Sequence, residues 1–236
     1  MILTTRSYFF KSTFAGLLAS LLFLGFVVIG YPILLLPFCA YMLILTWIRC
    51  RCVYASESFT DYAGLFLYFN LSIAPMIAAG VIAATVHDQW PATTGIAASL
   101  SPFLLIGAGY LLLRSQPPKP EVFRIRADRV EVTRVPPQSS KWAGLIGGFA
   151  ALGGAALAKG EHAGLLIAGS AVLIGLYMLF YYRHAISGLR WLKQQERSGK
   201  RYTFANIEDI RQWRTQSWAA NLFVYLGNAL GRGKER

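Results

Sequence analysis

Charge is scarce in this chain, and that scarcity excludes more than any motif adds. Only 14% of the 236 residues are charged, where a soluble domain carries about 25%. No charged side chain occurs within Phe14–Ile48, Ala63–Val86, Thr93–Leu113, Trp142–Ala158 or Ala163–Tyr182. Charges inside a membrane mark proton relays and ion paths, so their absence argues against a proton-coupled pump. Cysteine is as sparse, and three residues cannot build a disulfide framework. Cys39 reads as a small hydrophobe in the first apolar run, and Cys50 and Cys52 flank Arg51 with no His or further Cys nearby to complete a metal site. The signatures G-x-x-x-x-G-K-[ST], H-E-x-x-H and G-x-S-x-G are missing. The expectation is a non-enzymatic protein without a cofactor.

What the chain does have is apolar length. Hydrophobic residues make up 55% of it, gathered in blocks rather than in a periodic pattern. Runs of about 17–25 residues match a hydrocarbon core, so the chain reads as an integral membrane protein. Its beginning, MILTTRSYFFKSTFAGLLASLLFLG, has the basic lead and apolar centre of a signal peptide, but the run continues to Ile48 with no polar exit. An uncleaved first span is expected.

At 35 residues, Phe14–Ile48 would measure about 52 Å as one helix, against a core of about 30 Å. Gly30 can adopt a tight turn and Pro32 suits the first position of a new helix, so the chain is expected to turn back at Tyr31. The basic residues agree. With six spans in three hairpins, 22 of the 23 Lys and Arg residues fall on one side and only Lys159 on the other. Short loops on the cytoplasmic face carry such an excess. Both termini are therefore expected in the cytoplasm, with the protein in the cell (inner) membrane.

The expected fold is an α-helical polytopic membrane protein: six transmembrane helices as three hairpins, with a small cytosolic α+β module. Residues 1–113 hold the first two hairpins, 114–141 a cytosolic β-hairpin segment, 142–182 the third hairpin, and 183–236 a cytosolic tail packing on 114–141. In the β segment Phe123, Ile125 and Ala127 alternate with basic residues, and Val130 and Val132 follow Asp128-Arg129. Such alternation is the pattern of a hairpin with one buried face. That face is too small to stand alone, and Tyr202, Phe204, Ile207 and Ile210 of the tail are its expected cover. Arg201–Phe204 reads as strand, while Leu189–Gln195 fits either a strand or the end of the sixth helix, stopping at Gly199. A last helix is expected from near Asn206 to about Gly227, with Glu208 and Asp209 in its first turn. Its apolar stripe (Ile207, Ile210, Trp218, Leu222, Tyr225) is interrupted by Arg211 and Arg214, and it would lie either on the membrane surface or on the sheet.

Candidate functional residues are few. Arg124, Arg126, Arg129 and Arg134 would project from the β segment toward lipid headgroups or an acidic partner. Gly144 and Gly148 share the spacing of Gly164 and Ala168, which lets helix backbones approach closely, within the hairpin or against another chain. Asn70 is the polar residue of the third span, suited to an interhelical hydrogen bond or a solute contact. His87-Asp88 and Glu161-His162 lie on external loops and would form a metal site only if those loops met. The basic excess follows from topology, and no nucleic-acid partner is expected. The leading functional expectation is binding of a protein partner, as a scaffold, accessory subunit or immunity- or exclusion-type protective factor. The alternatives are a channel or facilitator for a small neutral solute and a membrane enzyme acting on lipid.

Overall fold

The computed structural model describes residues 6–117, 122–132, 163–197, 199, 201–217 and 225. Four long helices, α1 (Arg6–Gly30), α2 (Leu35–Cys50), α3 (Phe59–Val86) and α4 (Ala92–Ser115), precede a hairpin of β1 (Phe123–Arg126) and β2 (Arg129–Val132). Then come a fifth long helix, α5 (Ala163–Glu196), the short strand β3 (Thr203–Phe204) and the short helix α6 (Ile207–Thr215). Five helical segments among the described residues are long and apolar enough to cross a membrane. The sixth expected span, Trp142–Ala158 with Gly144 and Gly148, lies outside the described residues, as does Arg134.

The long first run is broken where its composition predicts. Tyr31 leaves the helix (φ −133°, ψ 81°) and Pro32 opens a 3₁₀ turn, Pro32–Leu34, that leads into α2. The two helices are antiparallel, because the far end of α2 returns to the beginning of α1. There the buried Arg49 donates from Nε to the Thr13 hydroxyl and from Nη2 to the Phe10 carbonyl, both at 3.3 Å. A charge next to a hydrocarbon-length helix is tolerated when it is bonded in this way.

Helix α3 is the axis of the bundle. It packs against α1, α4 and α5, and 67% of its apolar window is buried, against 11–28% for the other four. A helix apolar on all sides is stable only when surrounded. The outer helices turn large side chains such as Leu22, Ile29, Leu36 and Leu104 outward, as a lipid-facing surface requires. Close approach to α3 depends on small residues. A Cβ at Gly80 would sit 2.8 Å from the Phe23 carbonyl oxygen of α1, and one at Gly16 would enter the Phe69 ring. In α4, Pro102 leaves the Ala98 carbonyl without its usual amide donor, and the Ser101 hydroxyl supplies a hydrogen bond at 2.7 Å.

The sheet closes one end of this bundle. β1 and β2 pair antiparallel with Phe123 opposite Val132 and Ile125 opposite Val130, while β3 joins β2 in parallel. Ala127 does not continue the alternation into β1. It occupies the two-residue turn with φ 54°, a conformation that closes hairpins of this length. Residues 189–195, open between two assignments in the sequence, are helical, and α5 runs to Glu196 with Gly199 beyond it at φ 97°. No second hairpin forms there, and only Thr203–Phe204 of the expected strand pairs.

The apolar face of the sheet is covered from both sides. Phe123, Val130, Tyr202, Phe204, Ile207 and Ile210 belong to one buried cluster, which continues without a break into Phe9 of α1, Phe59 and Tyr62 of α3 and Leu192 of α5. Phe204 lies at its centre, with ring centroids 5.4 Å from Phe59 and 5.5 Å from Tyr62. The sheet therefore shares its core with the helix ends. Helix α6 runs from Ile207 to Thr215, where Gln216 and Ser217 leave it; of the expected continuation to Gly227, Tyr225 is helical and the rest, with Trp218 and Leu222, lies outside the described residues.

Candidate functional site

Two features at the sheet end of the bundle are built from charged side chains: a clasp and a cavity. The clasp comes from α6. Arg211 and Arg214 break its apolar stripe because both face the Cys52–Glu57 link between α2 and α3. Buried Arg214 donates from Nε to the Val53 carbonyl at 2.8 Å and from Nη2 to the Ser56 carbonyl at 2.6 Å. These carbonyls lie where the wide last turn of α2, Arg51–Ala55, ends, and helix carboxyl ends present unpaired acceptors. Burial lowers the Arg214 pKa, yet a guanidinium bonded to carbonyls remains charged. Arg211 meets Glu57 through two hydrogen bonds, at 2.7 and 2.8 Å, and holds that carboxyl below its ordinary value. On the sheet side, Arg129 donates to Glu208 at 3.0 Å and lowers that carboxyl likewise.

Of the four arginines expected to face outward, three are described, and they differ. Arg129 is occupied by Glu208 and by the Ala205 carbonyl, so it fixes α6 to the sheet. Arg126 stands 3.8 Å from Glu131 across the strand pair, with both side chains exposed. Arg124 is exposed on the same outward face. The other sequence candidates scatter. The Asn70 side chain donates to the Phe66 carbonyl of its own helix at 2.8 Å. Gly164 lies against Thr85, and Ala168 is buried with Ala78 and Ile82, so both face α3. His87 meets Asp88 at 3.1 Å, while Glu161 and His162 lie outside the described residues. Among the described residues no three His, Cys, Asp or Glu side chains gather as a metal site.

The cavity was not legible in the sequence. It is about 1050 Å³ in volume and lies among α2, α3, α4 and α5. Its depth is apolar, lined by Leu45, Leu71, Pro75, Phe103, Ile106 and Leu179. Among the described residues its mouth, at the sheet end, carries Arg51, Arg114, Arg190, Lys193 and Arg197 against the single acid Asp61. Arg190 also donates to the Arg114 and Gln116 carbonyls, closing the carboxyl end of α4. On the side wall the Tyr41 and Tyr68 hydroxyls share a hydrogen bond of 2.6 Å. The mouth residues come from the ends of three helices, α2, α4 and α5, and look in sequence like ordinary boundary charges. Only the packing of four helices brings them together. No protein family, characterised protein or solved structure matches the chain.

Proposed function

We propose that this chain is a non-enzymatic, multi-pass membrane protein that binds an acidic protein partner on the outer face of its sheet, at the cytoplasmic side. The observation that carries the reading is the coupling of the sheet to the bundle. Its inner face is used up in a core shared with α1, α3 and α5, and its outer face presents exposed Arg124 and Arg126. A small polar surface held rigidly on transmembrane helices suits recognition at a membrane. It needs no reacting group. Arg129 is removed from the expected contact set because Glu208 already holds it.

The experiment is affinity purification of the full chain in mild detergent, comparing the natural sequence with Arg124→Gln/Arg126→Gln. A stoichiometric protein should copurify with the natural chain and fall at least about tenfold with the variant, since exposed charges at an interface rim govern encounter and register. A partner retained equally by both would remove the sheet face from the proposal.

The orientation has its own test. The ends that carry Arg49, Arg51, Arg114, Arg190 and Lys193 lie together beside the sheet, and Tyr31 and His87 lie at the other end of the helices. A membrane that keeps basic residues inside would place the sheet in the cytoplasm. In a chain whose native cysteines are replaced, Gln89→Cys should react with an impermeant thiol reagent on intact cells, and Arg126→Cys should react only after lysis. The reverse pattern would invert the topology.

A further inference from the structure

We propose that the cavity among α2, α3, α4 and α5 holds one anionic phospholipid, with an acyl chain in its apolar depth and the phosphate at its basic mouth. The form of the space favours an amphiphile. At about 1050 Å³ it is at the upper end of the roughly 300–1,000 Å³ typical of small-molecule sites. Polarity divides it along its length, apolar between Phe103 and Leu45 and cationic at the sheet end. A neutral solute would leave the cationic end unanswered, and a free phosphate would leave the apolar end empty. One wall, formed by Ile44, Trp47 and Ile48 of α2, belongs to the exposed outer surface of the bundle. A chain can enter from the side, out of the surrounding lipid.

Charge complementarity selects the occupant. Among the described residues five cations face one acid at the mouth, and the ion pairs involve none of Arg51, Arg114, Arg190, Lys193 or Arg197. Like charge in such excess is unfavourable in a partly enclosed site, and an anion relieves it. The apolar segment Trp142–Ala158 could not do so, because it contains no acid. A phosphate diester can accept from several of these donors at once. Gly107 leaves space open, since no described atom lies within 4 Å of a Cβ placed there, and the Lys193 ammonium lies 3.7 Å from a Cβ placed at Gly64.

The test is native mass spectrometry of the full chain in detergent, with phosphatidylglycerol or phosphatidylcholine of identical acyl chains added. The natural chain should retain one phosphatidylglycerol in preference to phosphatidylcholine, and added inorganic phosphate should not displace it. Arg114→Gln/Lys193→Gln should weaken phosphatidylglycerol binding about thirtyfold, each cation near an anionic group contributing about fivefold. Gly107→Phe, which projects a ring from a position where a Cβ meets no described atom within 4 Å, should abolish retention of both lipids. A control pair outside the cavity, Arg183→Gln/Arg201→Gln, should change little. Equal retention of the two lipids, equal loss in the control pair, or unchanged binding in Gly107→Phe would each overturn the proposal. The last result would indicate that an apolar segment of the chain, rather than lipid, fills the depth. None of these readouts requires the protein partner, so they stand apart from the sheet-face reading.

Discussion

Phe204→Ala is expected to cost about 3–5 kcal/mol, the usual range for removing a buried aromatic ring, and to free the sheet and α6 from the helix ends together. Phe204 is completely buried, and its ring lies edge-on to Phe9, Phe59 and Tyr62 from two different helices, α1 and α3. It also belongs to β3, whose only pairing is the two-residue contact of Thr203 and Phe204 with β2. So short a strand contributes little through its backbone. The side chain joins the sheet to the bundle, together with a hydrogen bond from the Phe59 amide to the Tyr202 carbonyl at 3.0 Å. Limited proteolysis of the detergent-solubilised protein should show cleavage within 197–217 at protease levels that spare the natural chain. The five apolar helices should stay protected. Phe204→Leu, which keeps much of the volume, should lie between the two. Resistance of Phe204→Ala equal to that of the natural chain would mean the sheet is held by something other than this core. Val130→Asp should produce a similar release, since Val130 is 2% exposed and an unpaired buried charge is costly. Val132 is only partly buried and is the less sensitive position.

The features legible in the sequence were those carried by local pattern. Gly30-Tyr31-Pro32 broke the first run because its length could not fit one membrane crossing and its residues suit a turn. Strand alternation located β1 and β2, and Phe204 and Ile207 stood out as apolar positions in need of a partner. Features that depend on distant segments meeting were not legible. Arg49 directly follows the first apolar run, and its burial depends on Thr13 and Phe10 being brought opposite it by the hairpin. The cavity mouth draws on α2, α4 and α5, whose ends are far apart in sequence and carry charge for topological reasons in any case. Asn70 was conspicuous as a lone polar residue in an apolar run, yet a bond to its own helix backbone satisfies it. Polarity of a residue type in a span is therefore weaker evidence of a site than the convergence of several helix ends.

The same contrast bears on the tail, where Arg214 interrupted an otherwise apolar stripe and argued against a clean amphipathic helix. In the structure that arginine is 8% exposed and ties α6 to the link between α2 and α3. Its guanidinium bonds the carbonyls of Val53 and Ser56 and approaches that of Cys52 at 3.5 Å, with the Phe9 ring 6.0 Å from its central carbon. Arg214→Met keeps the length of the stem and removes every donor. Hydrogen bonds to a charged group contribute about 1.5–3 kcal/mol each, and a buried acceptor left unpaired adds about 1–3. A loss of at least about 3 kcal/mol is expected, close to that of Phe204→Ala. Arg214→Lys should recover only part of it, because a single ammonium cannot reach carbonyls that the planar fork spans. The effect should be local before it is global: hydrogen exchange should accelerate in residues 52–58 and in α6, and leave the middle of α3 unchanged. Arg211→Gln provides the contrast, since its ion pair with Glu57 is exposed and such pairs contribute little. If Arg211→Gln destabilises the protein as much as Arg214→Met, the clasp is held by surface charge and the buried carbonyl bonds are incidental. If neither variant alters exchange at 52–58, α6 does not hold the link between α2 and α3 at all.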